Sequence, residues 1–224
     1  MLGYSRRRAA QSTTQCRRTD RVGYKTDIMQ RRAEASNSMS VDDYLALEEA
    51  SDRKHEYVGG EVYALAGASE PHNLIVTNLT VEAALAARRG RQCRVLGSDM
   101  RLRVKTDVYY YPDLMVVCDV SDIDPRDKTR PCLVFEVGSP GTTSIDHREK
   151  LLAYRGIDSL QAYVIVEQAS RSVIVHKRLP DDSWWRDEYH GDGAIELPCP
   201  SEFTLTLDQI YAGVLAGPGE RRPL

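Results

Sequence analysis

The sequence predicts an α+β (or α/β) domain in which a mixed β-sheet is flanked by helices. Three observations lead to this fold class. A helix signal at residues 40–50 precedes strand-like segments, a longer helical pattern spans residues 71–89, and later strands enclose one more helix. This order of helix, strands, helix and strands is typical of layered folds whose sheet is not purely parallel.

The first elements are a short helix and a hairpin. Ser40 and Asp43 have the spacing of a capping box, so a helix is expected over residues 41–50. Gly59-Gly60 then separates two strand-like runs, residues 55–58 and 61–65. A Gly-Gly pair suits a two-residue turn that needs positive φ at both positions, which predicts a β-hairpin.

The second helix begins near Pro71 and continues with apolar residues at helical spacing until Gly90 ends it. Thr143 and Asp146 form a further capping box, which predicts a helix over residues 144–155. Strands are expected at residues 93–96, 100–104, 114–118, 132–137, 162–166, 173–177 and 184–190, and a closing helix at 207–214.

Composition is that of a globular chain with a distinct basic N-terminal segment. Of the 224 residues, 42% are hydrophobic and 28% are charged, which excludes a chain disordered throughout. No apolar run approaches the roughly 20 residues of a membrane helix, so no membrane partner is expected. Residues 1–38 hold eight Arg and one Lys against three acids, a net +6, whereas the whole chain is −3.

This charge division predicts three segments. Residues 1–38 are expected to be a disordered basic tail, or upstream sequence translated from a wrong start with Met39 as the true one. A basic arm that binds phosphate is the alternative. Residues 39–215 would form the domain, and residues 216–224 a flexible C-terminal tail.

The five cysteines are widely spaced, at positions 16, 93, 118, 132 and 199. They form no C-x-x-C pair, and no His lies at zinc-finger spacing from them. We therefore expect neither a disulfide scaffold nor structural zinc, and a reducing cytoplasmic location fits best.

Two acids lie in segments that should become buried strands. Asp113 follows Pro112 at the start of an apolar run, and Glu136 lies inside Leu133–Val137. A carboxylate in such a run is costly to bury unless it is paired or bound to a cation. Lys150 follows on the helix that Asp146 opens.

Two strand carboxylates and one lysine are the minimal set for metal-assisted phosphodiester hydrolysis. Mg²⁺, or Mn²⁺ in its place, would need only one or two carboxylates because it keeps several waters. The lysine would orient or deprotonate the attacking water or stabilise developing charge. Each residue also has a structural alternative: Asp113 as a turn residue, Glu136 paired with an arginine, and Lys150 as a solvated charge.

Taken together, these segments resemble the Uma-type family of restriction endonucleases, within the PD-(D/E)XK nuclease superfamily. The match runs from about residue 39 to residue 214 and leaves residues 1–38 outside it. The stretches that carry it are His55–Tyr63, His72 with its helix, Tyr110–Asp113, Phe135–Thr143 and Asp146-x-x-x-Lys150-x-x-x-Tyr154.

The resemblance implies a restriction endonuclease-like core with a metal site at a sheet edge. Asp113 then corresponds to the PD aspartate and Glu136 to the (D/E)XK acid, and both would be metal ligands. The lysine position of that motif is Gly138 here, and Lys150 would supply the amine from the following helix. Glu61 and His72 match family positions near the site and are expected to be auxiliary.

The leading hypothesis is therefore a Mg²⁺-dependent DNA endonuclease, which would form a homodimer if it cuts both strands. Arginines expected to contact the nucleic acid are Arg88, Arg91, Arg94, Arg101 and Arg103, with Arg89 in the same cluster; their alternative is a solvated helix end and strand edge. A nuclease-like module that only binds DNA or protein is the second hypothesis, and a phosphoesterase acting on another substrate is the third.

Overall fold

The structure is a computed structural model that describes residues 38–90, 93–138, 144–201 and 203–214. The predictions for residues 1–37 and for the C-terminal tail lie outside the described residues. Within them, no helix is long and apolar enough to cross a membrane.

Four helices and thirteen strands are defined in this part of the chain. The helices are α1 (Val41–Ala50), α2 (Glu70–Gly90), α3 (Ser144–Tyr154) and α4 (Leu207–Ile210). The first seven strands are β1 (His55–Val58), β2 (Glu61–Ala64), β3 (Arg94–Gly97), β4 (Arg101–Lys105), β5 (Val108–Tyr110), β6 (Leu114–Val117) and β7 (Asp127–Lys128). The others are β8 (Leu133–Gly138), β9 (Ala162–Glu167), β10 (Ser172–Arg178), β11 (Trp184–His190), β12 (Ala194–Leu197) and β13 (Phe203–Thr206).

The strands form three sheets. The six-stranded sheet has the order β11-β10-β9-β8-β6-β3, the five-stranded sheet the order β2-β1-β5-β4-β7, and β12 pairs with β13. Pairing is antiparallel except for β4 with β7 and β8 with β9. Helix α3 lies between β8 and β9 in the chain, as a parallel pair requires. The α+β class with a mixed sheet is therefore confirmed.

The six-stranded sheet has a buried core on each face, because side chains alternate along its strands. Leu114, Val116 and Phe135 face a cluster that contains Ile75 and Leu79 of α2. On the other face, Met115 and Val134 join a cluster with Tyr110 of β5 and Tyr154 of α3. The helix that follows β8 and the five-stranded sheet therefore cover the same face.

Local signals in the sequence explain where several elements begin. The side chain of Ser40 accepts a hydrogen bond from the backbone N–H of Asp43 and caps α1 as predicted. Gly59 and Gly60 have φ values of 56° and 98°, so both adopt the positive φ that the hairpin turn requires. The closing helix is shorter than predicted, because α4 ends at Ile210 and a turn follows.

The expectation about the cysteines is wrong. Cys93 is disulfide-bonded to Cys118, and Cys132 to Cys199. The pairs are 25 and 67 residues apart in sequence, so no local spacing rule relates them. They meet because β3, β6 and β8 are neighbours in the sheet, and the loop after β12 reaches the same end.

Candidate active site

The antiparallel pairing of β6 with β8 brings the two predicted acids together. Leu114 pairs with Phe135, so Asp113, which immediately precedes Leu114, lies beside Glu136. Directly opposed residues on antiparallel strands point to the same face. That face is the one covered by α3.

The carboxylate of Asp113 is fixed by two donors. Its Oδ2 accepts a hydrogen bond of 2.7 Å from the backbone N–H of Val137, and it lies 3.2 Å from Nε2 of His72 on α2. The hydrogen bond to Asp113 raises the pKa of His72, against the opposing effect of burial. His72 therefore acts as a donor that orients Asp113.

Glu136 is a buried acid in the middle of strand β8. Every residue of β8 is buried, and Oε1 of Glu136 is 2.9 Å from the Tyr154 hydroxyl and 3.1 Å from Nζ of Lys150. Burial, with the neighbouring Asp113 and Glu56 carboxylates, raises the pKa of Glu136 to about 7, although Lys150 and the hydrogen bond from Tyr154 act to lower it. A carboxylate here is retained at a cost, which indicates a role other than stability.

Lys150 joins Glu136 to a third acid. Its Nζ is 2.9 Å from Oε1 of Glu56 and 5.3 Å from the centre of the Tyr110 ring. Burial alone would lower the pKa of Lys150, but the Glu136 and Glu56 carboxylates outweigh burial and raise it well above its usual value. The amine is therefore held as an ammonium ion.

Glu56 is a site residue that the sequence reasoning missed. It lies on β1, is 8% exposed, and also accepts a hydrogen bond of 3.3 Å from the backbone N–H of Tyr111. Strand alternation was the signal that could have identified it, since Glu56 shares a face with Val58, whereas Tyr57 faces Tyr44 on the other side.

A glycine occupies the motif position that carries lysine in the superfamily. A Cβ atom built on Gly138 would lie 3.1 Å from Oε1 of Glu167 on the adjacent strand β9. The space next to the backbone is therefore taken up by a side chain from β9. The positive charge reaches Glu136 from α3 instead.

These groups line one open cleft of about 780 Å³. Its walls include Glu56, Asp113, Glu136, Lys150 and His72, together with the loop between β2 and α2. Ser69 at the end of that loop donates a hydrogen bond of 2.7 Å to the side chain of Gln168.

Other predicted residues lie elsewhere. Glu61 is exposed on β2, accepts a hydrogen bond from Tyr63, and is not among the residues that line the cleft. Arg101 does not face solvent as a nucleic-acid contact must, because its side chain is buried against Asp127 and the rings of Tyr44 and Tyr109.

The remaining predicted arginines differ in their surroundings. Arg94 donates a hydrogen bond of 2.7 Å to the carbonyl of Asp119. Arg88, at the end of α2, and Arg103, on β4, are exposed. Arg91 lies outside the described residues.

The donor set fits a hard divalent cation. Glu56 and Glu136 contact the ammonium group of Lys150, and Asp113 lies beside Glu136, which leaves a charge of −2 on these four side chains when all three acids are ionised. Carboxylate oxygen is the ligand type that Mg²⁺ prefers, and two such ligands suffice because the ion keeps waters. Asp113 and Glu136 are the pair that lie side by side at the strand ends.

A restriction endonuclease-like core with clustered carboxylates at a sheet edge is the class of protein that this fold and site define. Residues 41–208 match the Uma2 family, which is described as "Putative restriction endonuclease". The chain belongs to this family.

Two curated relatives are similar to the chain in sequence, and one solved structure is similar to it in fold. Two uncharacterized proteins of Synechocystis sp. are each 32% identical to the chain, over 185 and 160 residues, which covers 79% and 70% of this chain and 93% and 90% of theirs. The fold also resembles the crystal structure of a "putative nuclease belonging to DUF820" from Anabaena variabilis, with a TM-score of 0.65 at 16% identity, covering 79% of this chain and 99% of that one.

Proposed function

We propose that this protein is a Mg²⁺-dependent endonuclease, a hydrolase that cleaves phosphodiester bonds of DNA. The observation that carries the proposal is that Glu56, Asp113, Glu136 and Lys150 line one open cleft, in which Lys150 contacts Glu56 and Glu136. Family membership supports the nuclease class, and the excess of negative charge supports a divalent cation.

In this proposal Asp113 and Glu136 hold the ion, and Mn²⁺ would substitute for Mg²⁺. When bound, the ion supplies Lewis acidity, which lowers the pKa of a coordinated water and stabilises charge on the phosphoryl oxygens. His72 keeps Asp113 oriented through its hydrogen bond. Tyr154 does the same for Glu136 from the buried side.

Lys150 acts as a cationic donor rather than as a base. An amine whose pKa is raised well above its usual value does not accept a proton from water near neutral pH. Its Nζ, held by Glu56 and Glu136, is placed to donate to the attacking water or to a phosphate oxygen and to stabilise the charge that develops there.

The nuclease domain of the proposal spans residues 39–215, and the cytoplasmic location that we propose for it would keep Cys93, Cys118, Cys132 and Cys199 reduced. Exposed arginines such as Arg88 and Arg103 would contribute phosphate contacts. Cleavage of both DNA strands would require a homodimer or two successive nicks, because one chain carries one such cluster among its described residues.

The test is plasmid nicking by the full-length chain. Supercoiled DNA would be incubated with Mg²⁺, Mn²⁺ or EDTA, using the wild-type chain, Glu136→Gln and the exposed control Glu196→Gln. We expect cation-dependent nicking that EDTA and Glu136→Gln abolish and Glu196→Gln leaves unchanged. DNA binding without nicking, equal in wild type and Glu136→Gln, would instead establish the catalytically inactive binding module.

A further inference from the structure

Outside the cleft, the cysteines form a compact group at the opposite end of β6 and β8. Cys118 directly follows β6, and Cys132 directly precedes β8. Cys93 precedes β3, the neighbour of β6, and Cys199 lies between β12 and β13. Four separate chain segments therefore contribute one sulfur each.

The two disulfides lie in contact with each other. The Sγ atom of Cys118 is 3.5 Å from that of Cys132 and 3.8 Å from that of Cys199. The described residues contain one set of at least three Cys, His, Asp or Glu side chains whose ligand atoms all lie within 4.8 Å, and it is this one: Cys118, Cys132 and Cys199. Cys93, bonded to Cys118, is the fourth sulfur.

These separations are those of a tetrahedral thiolate site. With Zn–S bonds of about 2.3 Å, the sulfurs around one tetrahedral zinc ion are about 3.8 Å apart. Thiolates prefer Zn²⁺ to hard ions such as Mg²⁺. Three of the four sulfurs already lie within 4.8 Å of one another, so a metal would require the disulfides to open and the Cys93 side chain to rotate towards the other three.

Positive charge is available beside the cysteines. Asp119, next to Cys118, accepts a hydrogen bond from Arg94 on its carbonyl and binds Arg130 through its carboxylate at 2.6 Å. Arg94 adjoins Cys93, and Arg130 lies two residues before Cys132. Nearby guanidinium groups favour thiolates over thiols and would offset the −2 charge of a zinc tetrathiolate.

We propose that Cys93, Cys118, Cys132 and Cys199, when reduced, bind one Zn²⁺ as a structural tetrathiolate site. Reduction of each disulfide takes two electrons and two protons from a dithiol such as dithiothreitol, which becomes a cyclic disulfide. Zinc then displaces four protons from the four thiols. In the reverse direction, two molecules of a small disulfide such as oxidised glutathione accept the four electrons, take up four protons and become four thiols, while the four thiolates form the two disulfides and release the ion. The disulfide form and the zinc form therefore cross-link the same four segments in alternative ways.

The test uses the full chain, reduced and freed of metal, and follows alkylation of each cysteine by mass spectrometry. Cys16, which is not one of the four proposed ligands, is the internal control. We expect Zn²⁺ to slow alkylation of Cys93, Cys118, Cys132 and Cys199 by at least about 10-fold, and Mg²⁺ to have no effect. Equal alkylation rates with and without Zn²⁺ would overturn the proposal.

Metal content gives a second measurement. About one zinc ion per chain is expected for the wild type, for Cys16→Ser and for Glu136→Gln, whereas the double variant Cys118→Ser/Cys132→Ser should bind at least about 10-fold more weakly. Cobalt in place of zinc should give the intense charge-transfer absorption of thiolate ligation in the wild type. Zinc that stays in the double variant but is lost from Glu136→Gln would place the ion at the carboxylates and refute the thiolate site.

Discussion

The two ends of the β6–β8 strand pair carry opposite chemistry. At one end, Asp113 and Glu136 supply carboxylate oxygens, and at the other, Cys118 and Cys132 supply sulfur. From Asp113 to Cys118 is five residues of extended chain, about 17 Å. Antiparallel pairing brings together the two acids at one end and the two cysteines at the other, because the start of each strand lies beside the end of its neighbour.

The two ends differ in how their buried groups affect the stability of the folded protein. A buried carboxylate such as Glu136 destabilises the fold unless it is paired, here with the ammonium group of Lys150 and the hydroxyl of Tyr154. Disulfide sulfurs are uncharged and pack directly into the apolar core, where Cys132 and Cys199 are buried. We therefore expect the carboxylate end to determine activity and the sulfur end to determine stability.

The largest effect should come from breaking the carboxylate end alone. Replacing Glu136 by Gln keeps the shape of the side chain and removes a proposed metal ligand, so we expect DNA nicking to fall by at least about 1,000-fold. Alkylation of the cysteines should be unchanged. Nicking assays on matched protein concentrations give the first result, and loss of less than 10-fold would contradict the assignment of Glu136.

A charge deletion at the same end should lower stability. Lys150→Met leaves Glu56 and Glu136 without their shared ammonium group, and breaking a buried pair in this way costs about 3–5 kcal/mol. Urea unfolding without metal measures this cost. The exposed Lys105→Met is the control and should change the unfolding free energy by under about 0.5 kcal/mol. Equal stability of the two variants would show that Lys150 is not needed to balance the acids.

At the sulfur end, we expect a change in stability without a change in chemistry. The disulfides join residues 25 and 67 positions apart, so reduction without zinc should lower the unfolding free energy by about 3.5 kcal/mol for the Cys93–Cys118 bond and about 4.4 kcal/mol for the Cys132–Cys199 bond. Nicking by the protein that remains folded should be unchanged. Unfolding curves and nicking rates with and without dithiothreitol separate these quantities, and a parallel loss of both would refute the division between the ends.

The smallest effect belongs to His176 on β10, which titrates independently of both ends. Burial, with Arg155 and Arg186 nearby, lowers the pKa of His176 to about 4. As pH falls, His176 is therefore protonated in the unfolded chain before it is protonated in the folded protein. The folded protein keeps the full contribution of neutral His176 above about pH 6.5 and loses it as pH falls towards 4. We expect His176→Phe to remove about 1–2 kcal/mol of this pH dependence, as measured by unfolding at pH 7 and pH 5.

Glu136 should give the opposite slope in the same experiment. Its pKa in the folded protein is about 7, above its ordinary value of 4.5. Without metal, its contribution is present below pH 4.5 and is lost as pH rises through 7. In the His176→Phe variant, the remaining change of unfolding free energy between pH 5 and pH 7 should therefore come mainly from Glu136. The double variant His176→Phe/Glu136→Gln should no longer show that change.

Much of the fold could be predicted because the signals were local. The capping of α1 by Ser40 and the turn at Gly59-Gly60 depend on residues within four positions of one another. Strands β5 and β7 were missed because they are three and two residues long and are defined by pairing with β4, which no local pattern encodes. Strands β12 and β13 were missed for the same reason, since they pair only with each other.

The residues of the candidate site also fall into two groups, those that local sequence patterns predict and those that depend on strand pairing. Asp113 and Glu136 stand out because each is an acid at or inside an apolar run. Glu56 did not stand out, since a hairpin explained its surroundings, and Glu61 was chosen in its place. The cysteine group was out of reach, because it depends on which strands are neighbours in the sheet rather than on any spacing along the chain.

Gly138 limits how a lysine could be exchanged between position 138 on β8 and position 150 on α3. Restoring lysine at 138 would require Glu167 to shift, because the new Cβ would lie 3.1 Å from its Oε1. A chain with lysine at both 138 and 150 would crowd two ammonium groups beside Glu136, and a chain with neither would leave that acid unpaired. We therefore expect both intermediates to be less stable than a chain with one lysine, so no single substitution would move the lysine between these positions without a loss of stability.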